Sequence, residues 1–247
     1  MSQSFFTSER PLVFAHRGGS ALAPENTIVA FDRGLDLGAD GLELDVHLSR
    51  DGVVVVHHDR TLDRTTTLRG PIAARTVDEL AAVSVPTLAS VLARYPRSRI
   101  IDEMKVDTDE LARAVIAVVR AADAVARVCL GSVGRRVLRA ARALEPAIAT
   151  SAAREEVRWD LYRSWVGWPV GRAPYGGYQV PEWAGRTQVV SPRFIAAAHK
   201  AGRRVQVWTV DTEDAAHRLL GWGVDALITD RPDIIVPFAK HFHARGN

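Results

Sequence analysis

Two pairs of side chains have the types and spacing of a metal site. Glu43 and Asp45 stand two positions apart in an apolar run, and Glu103 and Lys105 repeat that spacing later. Successive side chains of a β-strand alternate between faces, so each pair would share one face. Buried carboxylates repel each other unless a cation lies between them, and their oxygens suit Mg²⁺, Ca²⁺ and Mn²⁺. The pattern indicates a divalent metal site, with an exposed acidic pair on an edge strand as the alternative.

Imidazole and cationic groups follow other apolar runs. His16 and Arg17 precede two glycines, and His57 and His58 follow a β-branched run. Histidine exchanges protons near neutral pH, Arg17 could bind a phosphate through two hydrogen bonds, and Lys105 could add a point charge. His57 and His58 point to opposite faces, and the alternation of one strand does not say which face is inward.

Strand and helix patterns alternate along the whole chain. The predicted strands span 11–16, 41–46, 99–105, 127–130, 147–150, 188–190, 204–210 and 225–229. The predicted helices span 24–38, 76–95 with an interruption at Pro86, 107–122, 135–144, 155–164, 192–201, 212–220 and 234–243. Eight such units in one chain of this length predict a (β/α)8 TIM barrel, formed as a single domain over residues 1–247. A doubly wound sheet is the alternative, but no GxGxxG follows a strand.

One aromatic segment interrupts this alternation. Residues 165–183 are rich in Trp, Gly, Pro and Tyr, which predicts a long loop. We interpret the aromatic residues of 159–183 first as core packing beneath that loop. The functional alternative is an apolar wall with transient contact to membrane lipid. Trp208 ends the seventh strand and is a predicted substrate-pocket residue.

Composition narrows the class of protein. The 247 residues are 47% hydrophobic and 25% charged, and the net charge of +3 comes from scattered arginines. This pattern favours a solvated surface over nucleic-acid binding. The first ten residues lack an apolar run, which predicts no signal peptide and a cytoplasmic location. The single Cys129 cannot form an internal disulfide and is expected to be a buried apolar residue.

Five short blocks, in this order, resemble the glycerophosphodiester phosphodiesterase family. The blocks are HRG (16–18), PENT (24–27), ELD (43–45), DGVVVVHHD (51–59) and EMK (103–105). The segments 207–211 and 223–232 also resemble the family, so the likeness spans nearly the whole chain. Each block is weak alone, but five in order are specific. The fourth block ends in His58 and Asp59, and we call it the HisAsp block. The span that follows it is short, which implies a reduced insertion after the second strand.

The resemblance implies a role for each candidate residue. One divalent cation, Mg²⁺ or Ca²⁺ with Mn²⁺ as a further option, would be bound by Glu43, Asp45 and Glu103. The family's second histidine directly precedes Asp, so His16 and His58 would be the catalytic pair and His57 structural. Arg17 and Lys105 would bind the substrate phosphate.

The implied activity is hydrolysis of glycerophosphodiesters, which are small molecules, to glycerol 3-phosphate and an alcohol. The alternatives are a lysophospholipase D-like activity and a non-catalytic phosphodiester-binding protein. Asp102 departs from the family pattern because an apolar residue usually stands there, and the sequence offers no account of it.

Overall fold

The computed structural model describes residues 4–244. These residues contain eleven strands: β1 Leu12–His16, β2 Gly41–Leu48, β3 Val54–Val56, β4 Arg99–Met104, β5 Val128–Gly131, β6 Ala149–Thr150, β7 Gly177–Pro181, β8 Trp183–Ala184, β9 Thr187–Gln188, β10 Arg204–Trp208 and β11 Ala226–Thr229. The single domain predicted over 1–247 includes residues 1–3 and 245–247, which lie outside the described residues.

Nine α-helices occur in the described part of the chain: α1 Ile28–Asp36, α2 Val77–Ala81, α3 Leu88–Arg94, α4 Asp109–Ala121, α5 Arg135–Leu144, α6 Arg154–Val166, α7 Pro192–Lys200, α8 Glu213–Gly221 and α9 Pro232–Ala244. Side-chain oxygens begin several of them; Thr27, Thr108 and Thr212, for example, accept backbone N–H groups at the starts of α1, α4 and α8. None of these helices combines the length and the apolar composition needed to cross a bilayer.

Eight parallel strands form the barrel, in the order β6-β5-β4-β2-β1-β11-β10-β7. It closes between β6 and β7, where Ser151 bridges to Gly177 and the Ala152 N–H donates to the Gly177 carbonyl oxygen at 2.9 Å. This closure confirms the TIM barrel over the doubly wound alternative. After β2 the chain forms only antiparallel β3, a 3-10 turn at Ile72–Ala74 and the short α2 before α3.

The sixth barrel strand differs from the prediction. It is β7 (Gly177–Pro181), which lies inside the predicted loop 165–183, whereas residues 188–190 were predicted as this strand. Gln188 belongs instead to the small β8–β9 hairpin. The reason is tertiary packing, because a side chain on Gly177 would collide with Phe6 and with the backbone of Arg204. A glycine that suggests a loop is therefore required in a strand.

Apolar side chains fill the amino end of the barrel. Phe5 stacks on Phe14 with ring centroids 5.9 Å apart, and both contact a cluster that includes Ile101 and the buried Cys129. The same strands carry polar side chains two positions further on, as His16 in β1 and Glu103 in β4 show. Strand alternation thus places a polar site at the carboxyl end, above an apolar plug.

Asp102 faces the layer between barrel and helices, like Leu44 and Leu130, its partners on the neighbouring strands. It is fully buried, and neither carboxyl oxygen has a hydrogen-bond partner within residues 4–244. Burial, with the charges of Asp45 and other acids nearby, raises the pKa of Asp102 well above its usual value. Burial therefore favours the neutral carboxyl group, and the ladder on both sides of it shows a regular strand without a bulge.

Replacing Asp102 should stabilise the fold. We expect Asp102→Val to raise the free energy of unfolding by about 1–3 kcal/mol, because it removes a buried polar group that lacks a partner. Urea titration followed by circular dichroism measures the change. Asp102→Asn keeps an unpartnered polar group and serves as the control. A less stable Asp102→Val protein would show that the carboxyl group has a stabilising partner.

Candidate active site

A cavity of about 750 Å³ opens at the carboxyl ends of the strands. Most of the site residues predicted from the sequence line it: His16, Arg17, Glu43, His58, Glu103, Lys105 and Trp208. The remaining one, Asp45, is 1% exposed and lies beside Lys105, whose Nζ is 3.2 Å from Asp45 Oδ1. The fold thus brings together eight residues that the sequence distributes over positions 16–208.

Three carboxylates converge in this cavity. One oxygen each from Glu43, Asp45 and Glu103 can be chosen so that all lie within 4.8 Å of one another. β2 and β4 supply them in register, since Asp45 pairs with Glu103. Burial and the charge of Asp45 raise the pKa of Glu43 to about 8. The three carboxylates repel each other, and a positive charge between them would relieve this repulsion. Their clustered oxygens fit a divalent cation such as Mg²⁺ or Ca²⁺.

Two cationic side chains lie against the same carboxylates. Lys105 Nζ is 3.4 Å from Glu103 Oε1, and Arg17 Nε is 3.3 Å from Asp45 Oδ2. Asn26 also donates a hydrogen bond to Asp45 Oδ2 at 2.9 Å. Burial works to raise the pKa of Asp45, but Lys105 and Arg17 outweigh it and lower the pKa below its usual value. Both cations therefore present positive charge at the acidic cluster, where a phosphoryl oxygen could bind.

His16 lies between two carboxylates. Its Nδ1 is 2.6 Å from Asp230 Oδ1, and its Nε2 is 3.8 Å from Glu43 Oε2. Burial works to lower the pKa of His16, but Glu43 and the hydrogen bond with Asp230 raise it to about 9. Because Asp230 engages Nδ1, the other nitrogen is directed toward the acidic cluster.

The two adjacent histidines have different surroundings. His58 lines the cavity, and its Nδ1 is 2.6 Å from Asp59 Oδ1. His57 is buried away from it, with Nδ1 3.0 Å from the Asp59 carbonyl oxygen and Nε2 3.0 Å from Thr65 Oγ1. Of these two histidines, His58 has a ring nitrogen without a hydrogen-bond partner in residues 4–244 and His57 has none, which fits the choice that the family resemblance implied.

Three residues of the site were not predicted from the sequence. Two are the carboxylates that bind the histidines, and the third is an arginine that connects one of these carboxylates to the rest of the site. Asp59 ends the DGVVVVHHD block and Asp230 lies in the segment 223–232, but the sequence pattern assigns a role to neither. Arg64 lies in the irregular segment after the HisAsp block and had no signal of its own. Its Nε donates to Asp59 Oδ2 at 2.7 Å, and its Nη1 donates to Glu25 Oε2 at 2.8 Å. Glu25 in turn accepts a hydrogen bond from Arg17 at 3.2 Å, so Arg64 connects the His58 and Arg17 positions.

One side of the cavity is apolar. α6 contributes Val157, Leu161, Tyr162 and Trp165, and the β8–β9 hairpin contributes Ala184. The interpretation of residues 159–183 as core packing is right for Tyr175 and Tyr178, whose hydroxyl groups both donate to the buried Asp160. It is wrong for Trp159, Tyr162, Trp165, Trp168 and Trp183, which are all about half exposed.

The fold and the site together define the class of protein, which is a TIM-barrel enzyme with a candidate metal and histidine centre. The family model described as "Glycerophosphoryl diester phosphodiesterase family" matches residues 16–234, and the chain belongs to that family.

Named relatives and solved structures agree with this assignment. "Probable glycerophosphodiester phosphodiesterase 2" of Mycobacterium tuberculosis is 34% identical, covering 91% of this chain and 89% of its own. A putative glycerophosphoryl diester phosphodiesterase from Silicibacter pomeroyi has the same fold, with a TM-score of 0.81 at 22% identity over 98% of both chains. An Oleispira antarctica phosphodiesterase, solved in complex with the product sn-glycerol-3-phosphate, has a TM-score of 0.75 at 26% identity, covering 94% of this chain and 97% of its own.

Divalent cations should stabilise the protein through Glu43. At a concentration 100 times the Kd, we expect a cation to add about 2.7 kcal/mol to the free energy of unfolding. Glu43→Gln should remove most of this gain, yet leave the cation-free stability nearly unchanged, since Gln can still accept the Arg17 N–H. Thermal unfolding with Mg²⁺, Ca²⁺ or Mn²⁺ tests both statements. The exposed Glu110→Gln is the matched control, and an undiminished gain in Glu43→Gln would contradict this assignment.

Proposed function

We propose that the protein hydrolyses glycerophosphodiesters to glycerol 3-phosphate and an alcohol, in a reaction that requires a divalent cation. The observation that carries the proposal is the acidic cluster with His16 and His58 on the same cavity, each held at Nδ1 by an aspartate. Family membership and the glycerol-phosphate product bound to the Oleispira relative support it. A protein that only bound phosphodiesters would not need two oriented histidines.

Charge determines how the substrate is held. Arg17 and Lys105 would bind the phosphoryl oxygens, because both already lie against the buried carboxylates of the cluster. A divalent cation bound by Glu43, Asp45 and Glu103 would neutralise phosphoryl charge and stabilise the transition state. Glu25 would hold the Arg17 guanidinium through its hydrogen bond at 3.2 Å.

The histidine pair would carry the proton transfers. One imidazole accepts the proton of the nucleophile, which is water or the neighbouring glycerol hydroxyl, and the other donates a proton to the leaving alcohol oxygen. Asp230 and Asp59 would fix the orientation of the two rings, and Arg64 holds the pKa of Asp59 well below its usual range, so that this carboxylate stays charged. Each positioned acid or base typically contributes about 10²–10⁴-fold.

Loss of either histidine should reduce turnover. We expect His16→Ala and His58→Ala each to lower the kcat for glycerophosphocholine at least about 10²-fold with the fold intact. A coupled assay for glycerol 3-phosphate measures kcat, and circular dichroism verifies folding. The exposed His241→Ala is the control. Full activity in the double His16 and His58 variant would refute the mechanism.

A second candidate function, hydrolysis of lysophospholipids, is favoured by the apolar wall. Leu161, Tyr162 and Trp165 border the same cavity as Arg17 and Lys105, so an acyl chain could lie along α6 while the phosphate is bound. Contact with lipid would then be made through part of residues 159–183. The chemistry at phosphorus would be unchanged.

Removing part of the wall should separate the two substrates. We expect Trp165→Ala to raise the KM for a monomeric short-chain lysophosphatidylcholine about tenfold, because buried aromatic contact is lost, and to change the KM for glycerophosphocholine by less than about twofold. Trp159→Ala, on the same helix but outside the cavity lining, is the matched control. Equal effects on the two substrates would rule out the acyl-chain wall.

A further inference from the structure

Large apolar side chains are exposed next to the cavity. Six of them lie on or next to α6 and on the β8–β9 hairpin and are 46–59% exposed: Trp159, Tyr162, Trp165, Val166, Trp168 and Trp183. Trp159 and Tyr162 stack on each other with ring centroids 6.0 Å apart. Single exposed apolar residues are ordinary, but a patch of this kind marks an interaction surface.

The charged side chains around this patch that lack a partner in the described chain are all positive. Residues 154–193 contain six arginines, and none of them lies within 4.0 Å of a carboxylate in the described chain: Arg154, Arg158, Arg163, Arg172, Arg186 and Arg193. The four acidic residues of this segment all have partners. Glu155, Glu156 and Glu182 pair with arginines from outside it, and Asp160 accepts two tyrosine hydroxyl groups. The positive charge is therefore free to attract an anionic surface.

Four of these arginines lie on α6 or at its end, beside its aromatic residues. The Arg163 guanidinium is 5.3 Å from the centre of the Trp159 ring, and Arg193 from α7 lies beside Gly167 at the end of α6. Arg154 and Arg158 precede Tyr162 and Trp165 along the cavity-lining face of α6. We define the aromatic-basic surface as the six apolar residues above together with Arg154, Arg158, Arg163, Arg186 and Arg193.

We propose that the aromatic-basic surface docks on an anionic lipid bilayer. Trp and Tyr favour the headgroup level of a bilayer, and arginines beside them bind anionic headgroups. A second copy of the chain is a poorer partner, because facing surfaces would bring unpaired arginines together. Since Tyr162 and Trp165 belong to both the surface and the cavity lining, docking would bring the cavity opening close to the lipid. The docking goes beyond the proposed hydrolysis and does not depend on it.

Vesicle co-sedimentation of the full chain tests this proposal. We expect binding to vesicles of phosphatidylcholine mixed with phosphatidylglycerol, and little binding to phosphatidylcholine alone. The double variant Arg186→Gln and Arg193→Gln should bind about 25-fold more weakly, from about fivefold per arginine. Trp168→Ser with Trp183→Ser should weaken binding about tenfold or more. These four residues lie outside the cavity lining, so turnover of glycerophosphocholine should not change.

A charge-matched control variant shows whether vesicle binding depends on this surface or only on the net charge of the protein. Arg97→Gln with Arg113→Gln removes two exposed arginines elsewhere and should leave vesicle binding within about twofold of the parent. Equal loss in this control would overturn the proposal, as would binding that does not depend on phosphatidylglycerol. Self-association that the tryptophan substitutions abolish, without vesicle binding, would assign the surface to a second copy. Vesicle binding by a parent protein that does not hydrolyse glycerophosphocholine would count only against the proposed function.

Discussion

Convergence of buried carboxylates is the constraint on which the rest of the site depends. Glu43 and Asp45 are 4% and 1% exposed, and each would lose far more hydration than one hydrogen bond restores. The surrounding groups offset this cost: Lys105 and Arg17 supply charge, and Asn26 and the Arg17 backbone N–H supply hydrogen bonds. These neighbours neutralise only part of the cluster, since the pKa of Glu43 is still raised to about 8.

The barrel makes this arrangement compatible with a stable fold. Along β2, Leu42, Leu44 and Val46 pack outward against the helix layer, so the strand stays anchored while Glu43 and Asp45 point inward. The plug around Phe5 and other apolar side chains closes the opposite end, which confines the polar cavity to the carboxyl ends of the strands. The polar residues of the candidate site and the apolar residues of the plug thus lie at opposite ends of the same strands.

The two histidine–aspartate pairs extend the same network. Ser20 donates to the Asp230 carboxylate that holds His16, and Arg64 binds the Asp59 carboxylate that holds His58. Arg64 also binds Glu25, so the segment after the HisAsp block supports the site although it forms little regular structure. A reduced insertion can therefore still determine how the candidate catalytic groups are oriented.

Local geometry explains which parts were predictable from the sequence. The spacing of Glu43 and Asp45 determines that they share a face, because alternation is a property of every strand. Asp230 lies 214 positions from His16, so no spacing rule could pair them before the barrel closed. The sixth strand was not predicted because its glycine, Gly177, suggests a loop. A glycine is needed there because the ring of Phe6, a residue near the start of the sequence, leaves no room for a side chain. The exposure of Trp165 and its neighbours depends on where α6 lies over the cavity, which helical periodicity alone does not give.

Release of glycerol 3-phosphate from glycerophosphocholine, measured before and after removal of divalent ions with EDTA, tests the role of the carboxylate cluster most directly. Activity should fall to background with EDTA and return when Mg²⁺, Ca²⁺ or Mn²⁺ is added in excess of the chelator. Undiminished activity in EDTA would contradict the assignment of Glu43, Asp45 and Glu103 as the ligands of a required cation.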